Sequence, residues 1–313
     1  RCGTVLNVPV GMVPESDTAN LAILSYDPKV YSKGRSPLEA MSLGLTMEPD
    51  DTAIRCNVVT LSEGDVPFGE RVILDHSAGE ISTEEADELV RALNEALPME
   101  GRHLYTGVSY RHCMLWKGAD PTYNFARPHD HLGEKIGAYL PKDDDGGRAF
   151  REFMEKGFAV LDHHPVNERR RAEGKNPANA PWLWSPGRKP ALPSFKEKWN
   201  LDASIVCAVD LIKGIGICAG CEVVSVPDAT GNYYTNYLGK GEAAIDAFRR
   251  GSDLVYVHVE APDECGHQGN PVEKTSAIEK IDAEILAPVY QYLLDSGEDF
   301  KILCLPDHPT PCD

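Results

Sequence analysis

Positive charge is scarce in this sequence. The 313 residues include 31 Lys and Arg against 49 Asp and Glu, which gives a formal net charge of −18 and a pI near 5.0. Nucleic acids and anionic membrane surfaces select basic proteins, so neither is an expected partner. A small anionic substrate is not excluded, because one basic pocket fits inside an acidic surface.

Long apolar runs and paired cysteines are also missing. The longest apolar stretch, around Ile205–Gly220, is interrupted by Asp210 and Lys213, so neither a membrane span nor a signal peptide is predicted. Nine cysteines cannot all pair, and most stand in apolar runs typical of buried thiols. Cys218 and Cys221 form a C-x-x-C without a second pair at zinc-ribbon spacing. A reducing cytoplasm is the expected compartment.

The composition, 42% hydrophobic and 26% charged, is that of a globular protein with one large domain or two ordinary ones. Both ends are expected to be truncated. The first residues, RCGTVLNVPVG, open inside a strand-like run without a starting methionine, and the last, CLPDHPTPCD, stop after a strand and a turn.

The first two thirds of the chain mix helical and β-like patterns. Helices are predicted over 15–25, over 36–44, from Ser82 to about Leu97, and at RAFREFMEKG. Strands are predicted at IRCNVVTL, ERVILD and GVSYRHCMLW. The segment NERRRAEGKNPANAPWLWSPGRKP is predicted to be a long loop.

After about residue 191, apolar strands alternate with helices. The strands are expected at SIVCAV, EVVSV, SDLVYVHVE and DFKILCLPDH. Continuous apolar strands that alternate with helices predict an α/β fold with a mostly parallel sheet covered by helices on both faces.

Two polar loops directly follow the last two predicted strands. One contains Asp263 and His267, and the other contains the adjacent Asp307 and His308. Ligands of parallel sheets collect at the carboxyl ends of strands, and paired carboxylates and imidazoles suit Mn²⁺ or Zn²⁺. Either loop alone is also explained as a turn with a helix cap. The two loops together favour a metal site.

Three further residues outside these loops are candidates for chemistry. Ser16 stands at a predicted helix start, where backbone amides receive phosphate, or where a serine merely caps the helix. Lys213 lies in an apolar run, where a charged amine needs an anion. Asp130, in RPHDHLGE, is either a carboxylate that deprotonates a substrate hydroxyl or the cap of a helix at LGEKI.

A basic stretch in the middle of the chain is a candidate anion-binding surface. Arginine forks match carboxylate and phosphate groups, and a solvated loop is the alternative for each residue. The stretch comprises Arg169, Arg170, Arg171, Lys175, Arg188 and Lys189.

Several ordered motifs together resemble the cofactor-independent phosphoglycerate mutases of the archaeal type, in the alkaline phosphatase superfamily. The motifs include PESDTANLAILSYDP, YSKGRSPLEA, GVSYRH, DLIKGIGICAG, TGNYYTNY, HVEAPDECGH and LPDHPTP. The resemblance covers essentially the whole chain. It implies a phosphatase-like metal-binding core at 1–51 and 191–313, with an inserted α+β lid domain at 52–190.

The resemblance also implies an activity and its residues. Ser16 matches the serine that carries the phosphoryl group between the 3- and 2-positions of glycerate. This reaction is a step of glycolysis and gluconeogenesis, and the family performs it without added 2,3-bisphosphoglycerate. Two divalent ions, Mn²⁺ foremost and Zn²⁺, Mg²⁺ or Co²⁺ otherwise, are implied. The residues that match their ligands are Ser16, Asp263, His267, Asp307 and His308.

Further roles follow from the same resemblance. Lys213 matches a lysine near the phosphoryl group, Arg111 and His112 resemble part of the substrate-binding region, and His112 is expected to exchange a proton with the glycerate hydroxyls. From the basic stretch, Arg169, Arg170 and Arg188 are expected to bind substrate because arginine forks match carboxylate and phosphate, and not because of the resemblance. The family draws one more aspartate and one more histidine from positions outside these 313 residues.

Two alternative functions remain open from the sequence. The same serine and metals suit a phosphatase or phosphotransferase acting on another small phosphorylated metabolite. A catalytically inactive fragment that only binds phosphorylated acids is the other alternative. A mutase additionally needs a second anion-binding face for the glycerate carboxylate.

Overall fold

The computed structural model describes residues 6–12, 14–32 and 34–312. It divides into two compact units. The core unit comprises Arg1–Ser32 and Pro190–Asp313, and the insert unit comprises Lys33–Lys189. Both helices and strands occur in each unit, so the mixed α/β class expected from the sequence is confirmed.

The bounds of the helices and strands are as follows. The helices are α1 (Ser16–Ile23), α2 (Pro28–Tyr31), α3 (Ser36–Ser42), α4 (Thr83–Ala96), α5 (Arg148–Leu161), α6 (Pro165–Ala172), α7 (Phe195–Trp199), α8 (Asp210–Cys218), α9 (Tyr237–Arg249), α10 (Ala261–His267), α11 (Pro271–Lys280) and α12 (Ala287–Ser296). The strands are β1 (Asp51–Leu61), β2 (Ile73–Asp75), β3 (Arg102–Tyr105), β4 (Arg111–Lys117), β5 (Ala180–Arg188), β6 (Ala203–Val206), β7 (Glu222–Val224) and β8 (Leu254–Val257).

The insert unit is built on β1, which pairs antiparallel with β4, β5 and β2. Its sequence DTAIRCNVVTL is rich in β-branched residues, and nearly all of it is buried. Strand β3 extends the sheet beyond β4. Helices α4 and α5 pack with the sheet around one hydrophobic cluster that includes Leu89, Phe153 and Trp182.

The segment predicted to be a long loop instead contains α6 and β5. Pro165 occupies the first turn of α6, where no backbone N–H is needed, and His164 Nδ1 accepts a hydrogen bond from Val166 N. In the described residues β5 pairs with β1 alone, so it is an edge strand that tolerates Pro181 and Pro186. The prolines favoured a loop in the sequence because the pairing of this segment with β1 is not visible from local pattern.

The first boundary between the units lies at 32/33, whereas the sequence analysis placed it at 51/52. Helix α3 packs against β1 and β5. The Arg55 guanidinium on β1 also donates two hydrogen bonds, of 2.7 and 2.5 Å, to the Glu39 carboxylate on α3. This paired fork ties residues 36–42 to the insert unit.

The core unit contains a parallel sheet in the order β7-β6-β8. Helix α8 follows β6 and α10 follows β8, which brings the starts of both helices to the carboxyl end of the sheet. The predicted final strand at DFKILCLPDH is wrong: residues 300–306 form no strand, and Leu303 is exposed. An apolar run without a paired neighbour cannot satisfy its backbone groups as a strand. In the described part of the chain, no helix is long and apolar enough to cross a membrane.

We predict that Gly157→Ala destabilises the insert unit. A Cβ at this position in α5 would overlap the Pro181 ring and lie 3.2 Å from Leu93 Cδ2. Overpacking of this kind costs about 1–3 kcal/mol. Urea unfolding should show this loss, whereas Gly146→Ala, whose nearest described neighbour is 3.6 Å away, should change stability little. Equal stability of both variants would contradict the packing described.

Candidate active site

Ser16 is the first residue of α1 in the core unit, in agreement with the predicted helix start. Glu15 is the N-cap, and no side chain caps this helix. The Ser16 hydroxyl instead contacts His308 Nε2 at 3.0 Å. Capping is therefore not what the Ser16 side chain does in this structure.

The core unit brings together all five residues expected to bind metal. His308 Nδ1 lies 4.0 Å from Asp263 Oδ1, and Asp263 Oδ2 lies 3.3 Å from His267 Nε2. His308 Nε2 lies 3.7 Å from Asp307 Oδ2 and contacts Ser16 as above. The two polar loops and the start of α1 therefore form one continuous cluster.

Asn20 holds one side of this cluster in place. Its side-chain amide is buried and donates to the Ser16 carbonyl at 2.8 Å and to Asp307 Oδ2 at 3.0 Å. The Tyr256 hydroxyl, near the end of β8, donates to Asn20 Oδ1. The sequence analysis missed Asn20, although its i+4 spacing from Ser16 places both residues on one helix face.

The loop after Asp307 is fixed against α10. Thr310 donates its hydroxyl hydrogen to Asp263 Oδ1, and Lys274 Nζ donates to the Thr310 carbonyl. A Cβ on Gly266 would stand only 2.6 Å from that carbonyl oxygen. Glycine at 266 therefore permits the close approach that places His308 beside Asp263.

His258 is a further imidazole in this region that the sequence analysis missed. It directly follows β8, and its Nε2 lies 3.4 Å from Glu260 Oε2. Its buried Nδ1 has no hydrogen-bond partner. Burial lowers the pKa of His258 to about 4, against the opposing effect of Asp307. In the sequence, the position of His258 immediately after an apolar strand could have marked it as a candidate site residue.

Two lysines supply positive charge at the same end of the sheet. Lys213 Nζ lies 3.4 Å from Asp210 Oδ1, and about a third of the Lys213 side chain is exposed. Lys240 is almost fully buried and donates to the His258 carbonyl at 3.1 Å. Burial lowers the pKa of Lys240 to about 8. Both ammonium groups act electrostatically on the Cys207 thiol, next to the end of β6.

The donor chemistry of the cluster fits a divalent ion such as Mn²⁺ or Zn²⁺. Carboxylate oxygen, imidazole nitrogen and hydroxyl oxygen are all present, and the buried Nδ1 of His258 lacks a partner. Within residues 6–12, 14–32 and 34–312, no three His, Cys, Asp or Glu side chains are already arranged around one ion position. The residues therefore match a divalent ion in the type of their donor atoms.

In the insert unit, Arg111 and His112 occupy different environments. Arg111 is exposed, with its guanidinium 4.5 Å from the centre of the Tyr110 ring. His112 is buried, and its Nδ1 accepts the Gly107 N–H at 3.2 Å. Burial lowers the pKa of His112 to about 4. In this conformation the buried ring supports the turn before β4 by accepting that backbone hydrogen bond, and the expected proton exchange with the glycerate hydroxyls stays a prediction.

Asp130 lies in a short 3₁₀-helix, Pro128–His131, and does not cap the following segment. Its half-exposed carboxylate lies 3.5 Å from His129 Nε2. The His129 ring packs against Trp184 at 5.4 Å and His76 at 6.0 Å between centroids. The capping alternative for Asp130 is therefore wrong, and its carboxylate has an imidazole partner that the sequence analysis did not single out.

The arginines of the basic stretch also differ. Arg170 is buried and bonds to Asn176 O, Ala78 O and the Glu85 carboxylate, which occupies all three of its nitrogens. In this conformation its 4% exposed side chain fixes α6 to its neighbours, and the expected contact of Arg170 with substrate stays a prediction. Arg169 and Arg188 are exposed.

We predict that Arg170→Met reduces the free energy of unfolding by about 3–5 kcal/mol, because it removes the buried guanidinium that bonds to the partly buried Glu85 carboxylate and to two carbonyls. Arg169→Met is the matched control on the same helix. Its half-exposed guanidinium lies 3.6 Å from Glu85, so its loss should cost at most about 1 kcal/mol. A similar small loss for both variants, measured by urea unfolding, would refute the structural role of Arg170.

We predict that His112 makes the protein less stable in acid. The unfolded histidine binds a proton near pH 6.5, whereas the folded one does so only near pH 4. Between these values the unfolded state holds more protons, so stability falls as pH falls, by about 3 kcal/mol in total. His112→Asn should reduce the slope of urea-unfolding stability between pH 6.5 and 4, to which His258 also contributes, whereas an unchanged slope would contradict the prediction. His163→Asn, at an exposed position, is the control.

Comparisons with known proteins identify the relatives of this chain. The family model described as 2,3-bisphosphoglycerate-independent phosphoglycerate mutase matches residues 1–167. A protein of that name from Methanosarcina mazei is 46% identical over 99% of this chain and 76% of its own length. A probable one from Geobacter sulfurreducens is 44% identical, with the same coverage of each chain.

Two solved structures are also similar to this chain. The cofactor-independent phosphoglycerate mutase of Thermoplasma acidophilum matches with a TM-score of 0.59 and 29% identity, over 87% of this chain and 70% of that one. A protein of Pyrococcus horikoshii matches with a TM-score of 0.69 and 28% identity, over 95% of this chain and 69% of that one.

Proposed function

Since this chain belongs to the 2,3-bisphosphoglycerate-independent phosphoglycerate mutases, we propose that it interconverts 3-phosphoglycerate and 2-phosphoglycerate through a phosphorylated Ser16. The observation that carries the proposal is the contact of Ser16 Oγ with His308 Nε2 at 3.0 Å, inside the cluster of Asp263, His267 and Asp307. A hydroxyl at a helix start, among metal-type donors, has the surroundings of a phosphoryl acceptor.

The proposed reaction transfers one phosphoryl group twice. Ser16 Oγ attacks phosphorus and the bond to the 3-oxygen breaks, so that the serine is phosphorylated and glycerate stays bound. The glycerate reorients, its 2-hydroxyl attacks the phosphoserine, and Ser16 is regenerated. No second phosphorylated molecule enters this sequence, which agrees with the name of the family.

Asp263 and His267 would hold one divalent ion, and Asp307, His308 and Ser16 another, with Mn²⁺ as our first choice. When bound, such ions lower the pKa of a hydroxyl and neutralise phosphoryl oxygens. The chain's own contribution is the positioning of these donors by Asn20 and Thr310, whose hydrogen bonds to Asp307 and Asp263 fix the two carboxylates. Lys213 adds a cation for the phosphoryl group.

We further propose that the core unit is alkaline-phosphatase-like and that the insert unit serves as its substrate-binding lid. Exposed Arg111 and Arg188, with Arg169 beside α4, offer guanidinium groups to the glycerate carboxylate. The half-exposed Asp130 carboxylate is suited to deprotonating the attacking hydroxyl. Two separate sets of groups, for phosphoryl and for carboxylate, are what a mutase needs beyond a phosphatase.

We predict that Ser16→Ala abolishes the phosphoenzyme and lowers kcat at least about 10³-fold, because the attacking oxygen is lost. Mutase activity is assayed with Mn²⁺, with and without 2,3-bisphosphoglycerate, and labelled phosphate on the protein is measured after an acid quench. Ser296→Ala, at an exposed position, is the control and should behave as wild type.

The same assay separates the alternatives. Full mutase activity of Ser16→Ala would refute the phosphoserine mechanism. Rapid release of inorganic phosphate without isomerisation would identify a phosphatase. A wild-type protein that binds phosphoglycerate in Mn²⁺ without turnover would identify a binding protein.

A further inference from the structure

His258 has the features of a metal ligand, although its role was not apparent from the motifs. Its side chain is 8% exposed, and its Nδ1 is buried without any hydrogen-bond partner. A buried polar atom left without a partner costs about 1–3 kcal/mol, so its retention calls for an explanation.

The surroundings of His258 supply that explanation. Its Nε2 lies 3.4 Å from the Glu260 carboxylate, and its charged neighbours include Asp307, Asp263 and His308. Metal-bound histidines commonly donate their second ring N–H to a carboxylate, which fixes the tautomer and the ring orientation. With Nε2–H directed to Glu260, Nδ1 retains its lone pair.

The backbone also holds His258 in place. Its N–H donates to the Val206 carbonyl at 2.9 Å, which continues the pairing of β6 and β8, and its carbonyl accepts from Lys240 Nζ at 3.1 Å. The imidazole is thus fixed at the carboxyl end of the parallel sheet, where the proposed metal donors also lie.

We propose that His258 Nδ1 is a further nitrogen ligand of the divalent metal centre formed by the loops of Asp263 and Asp307, oriented by Glu260. This proposal rests on the proposed function only in its use of a metal at that cluster. His258 and Glu260 would then act as a carboxylate–imidazole pair that adds one more neutral donor to a site of two carboxylates, two imidazoles and a hydroxyl.

The test measures Mn²⁺ binding to the purified protein by isothermal titration calorimetry. It also measures the nitrogen couplings of bound Mn²⁺ by electron spin echo spectroscopy. His258→Gln should raise the Kd for Mn²⁺ at least about tenfold and remove one nitrogen coupling. Glu260→Gln should raise the Kd by a smaller factor and retain that coupling. The matched controls are His163→Gln, at an exposed position, and Glu264→Gln, at a partly buried position on the same helix as Asp263.

The outcomes are distinguishable from a failure of the proposed function. An unchanged Kd for His258→Gln, or a raised Kd with every nitrogen coupling retained, would overturn His258 as a ligand and leave the mutase proposal intact. Loss of phosphoserine in a protein that still shows the His258 coupling would overturn the phosphoserine mechanism alone. Circular dichroism and thermal unfolding without metal confirm that each variant is folded, and a folded wild type that binds no Mn²⁺ would overturn both proposals.

Discussion

The hydrogen bonds of Asn20 are the interactions on which the core-unit site depends. One buried amide joins the start of α1 to the end of β8 and to the loop at Asp307, which lie 236 and 287 residues from Asn20 along the chain. A carboxylate taken out of water is costly unless hydrogen-bonded, so Asp307 needs this donor to occupy a partly buried position. Ser16 stands beside His308 because the same amide also binds the Ser16 carbonyl.

Charge balance at the end of the parallel sheet imposes a second constraint. The His308 ring lies 4.0 Å from the Asp263 carboxylate and 3.7 Å from the Asp307 carboxylate, so the two carboxylates share one neighbour. Buried Lys240 and partly exposed Lys213 provide positive charge nearby. Burial disfavours the charged form of Lys240, so this amine is weakly basic for a lysine. Further cations would reduce the repulsion between the carboxylates, and divalent ions meet that need directly.

Local patterns predicted some features well and others poorly. The helix after Ser82 follows from short-range capping chemistry, and the structure contains it. The helix at Ser16 is also present, although no side chain caps it. Strand β5 was missed because its prolines are tolerated only at a sheet edge, and the strand expected at 300–306 fails because it has no partner. Asp263 was predicted from its position after a strand that the structure contains, and Asp307 from its position after a predicted strand that the described residues do not form. Local position hinted at Asn20 and His258, but their contacts with Asp307, Tyr256 and Val206 are long-range and do not follow from local spacing.

The basic stretch shows how burial changes the meaning of a charge. Arg170 and Arg171 look equivalent to Arg188 in the sequence, but their guanidinium groups are bound to acidic and carbonyl groups of the insert unit. A cation already paired in this way has little free energy left to offer a ligand, because ligand binding must first break those contacts. The exposed guanidinium groups of Arg111 and Arg188 are therefore more available to an anionic ligand than those of Arg170 and Arg171. An acidic protein can bind an acidic substrate when a few cations stay free of its own carboxylates.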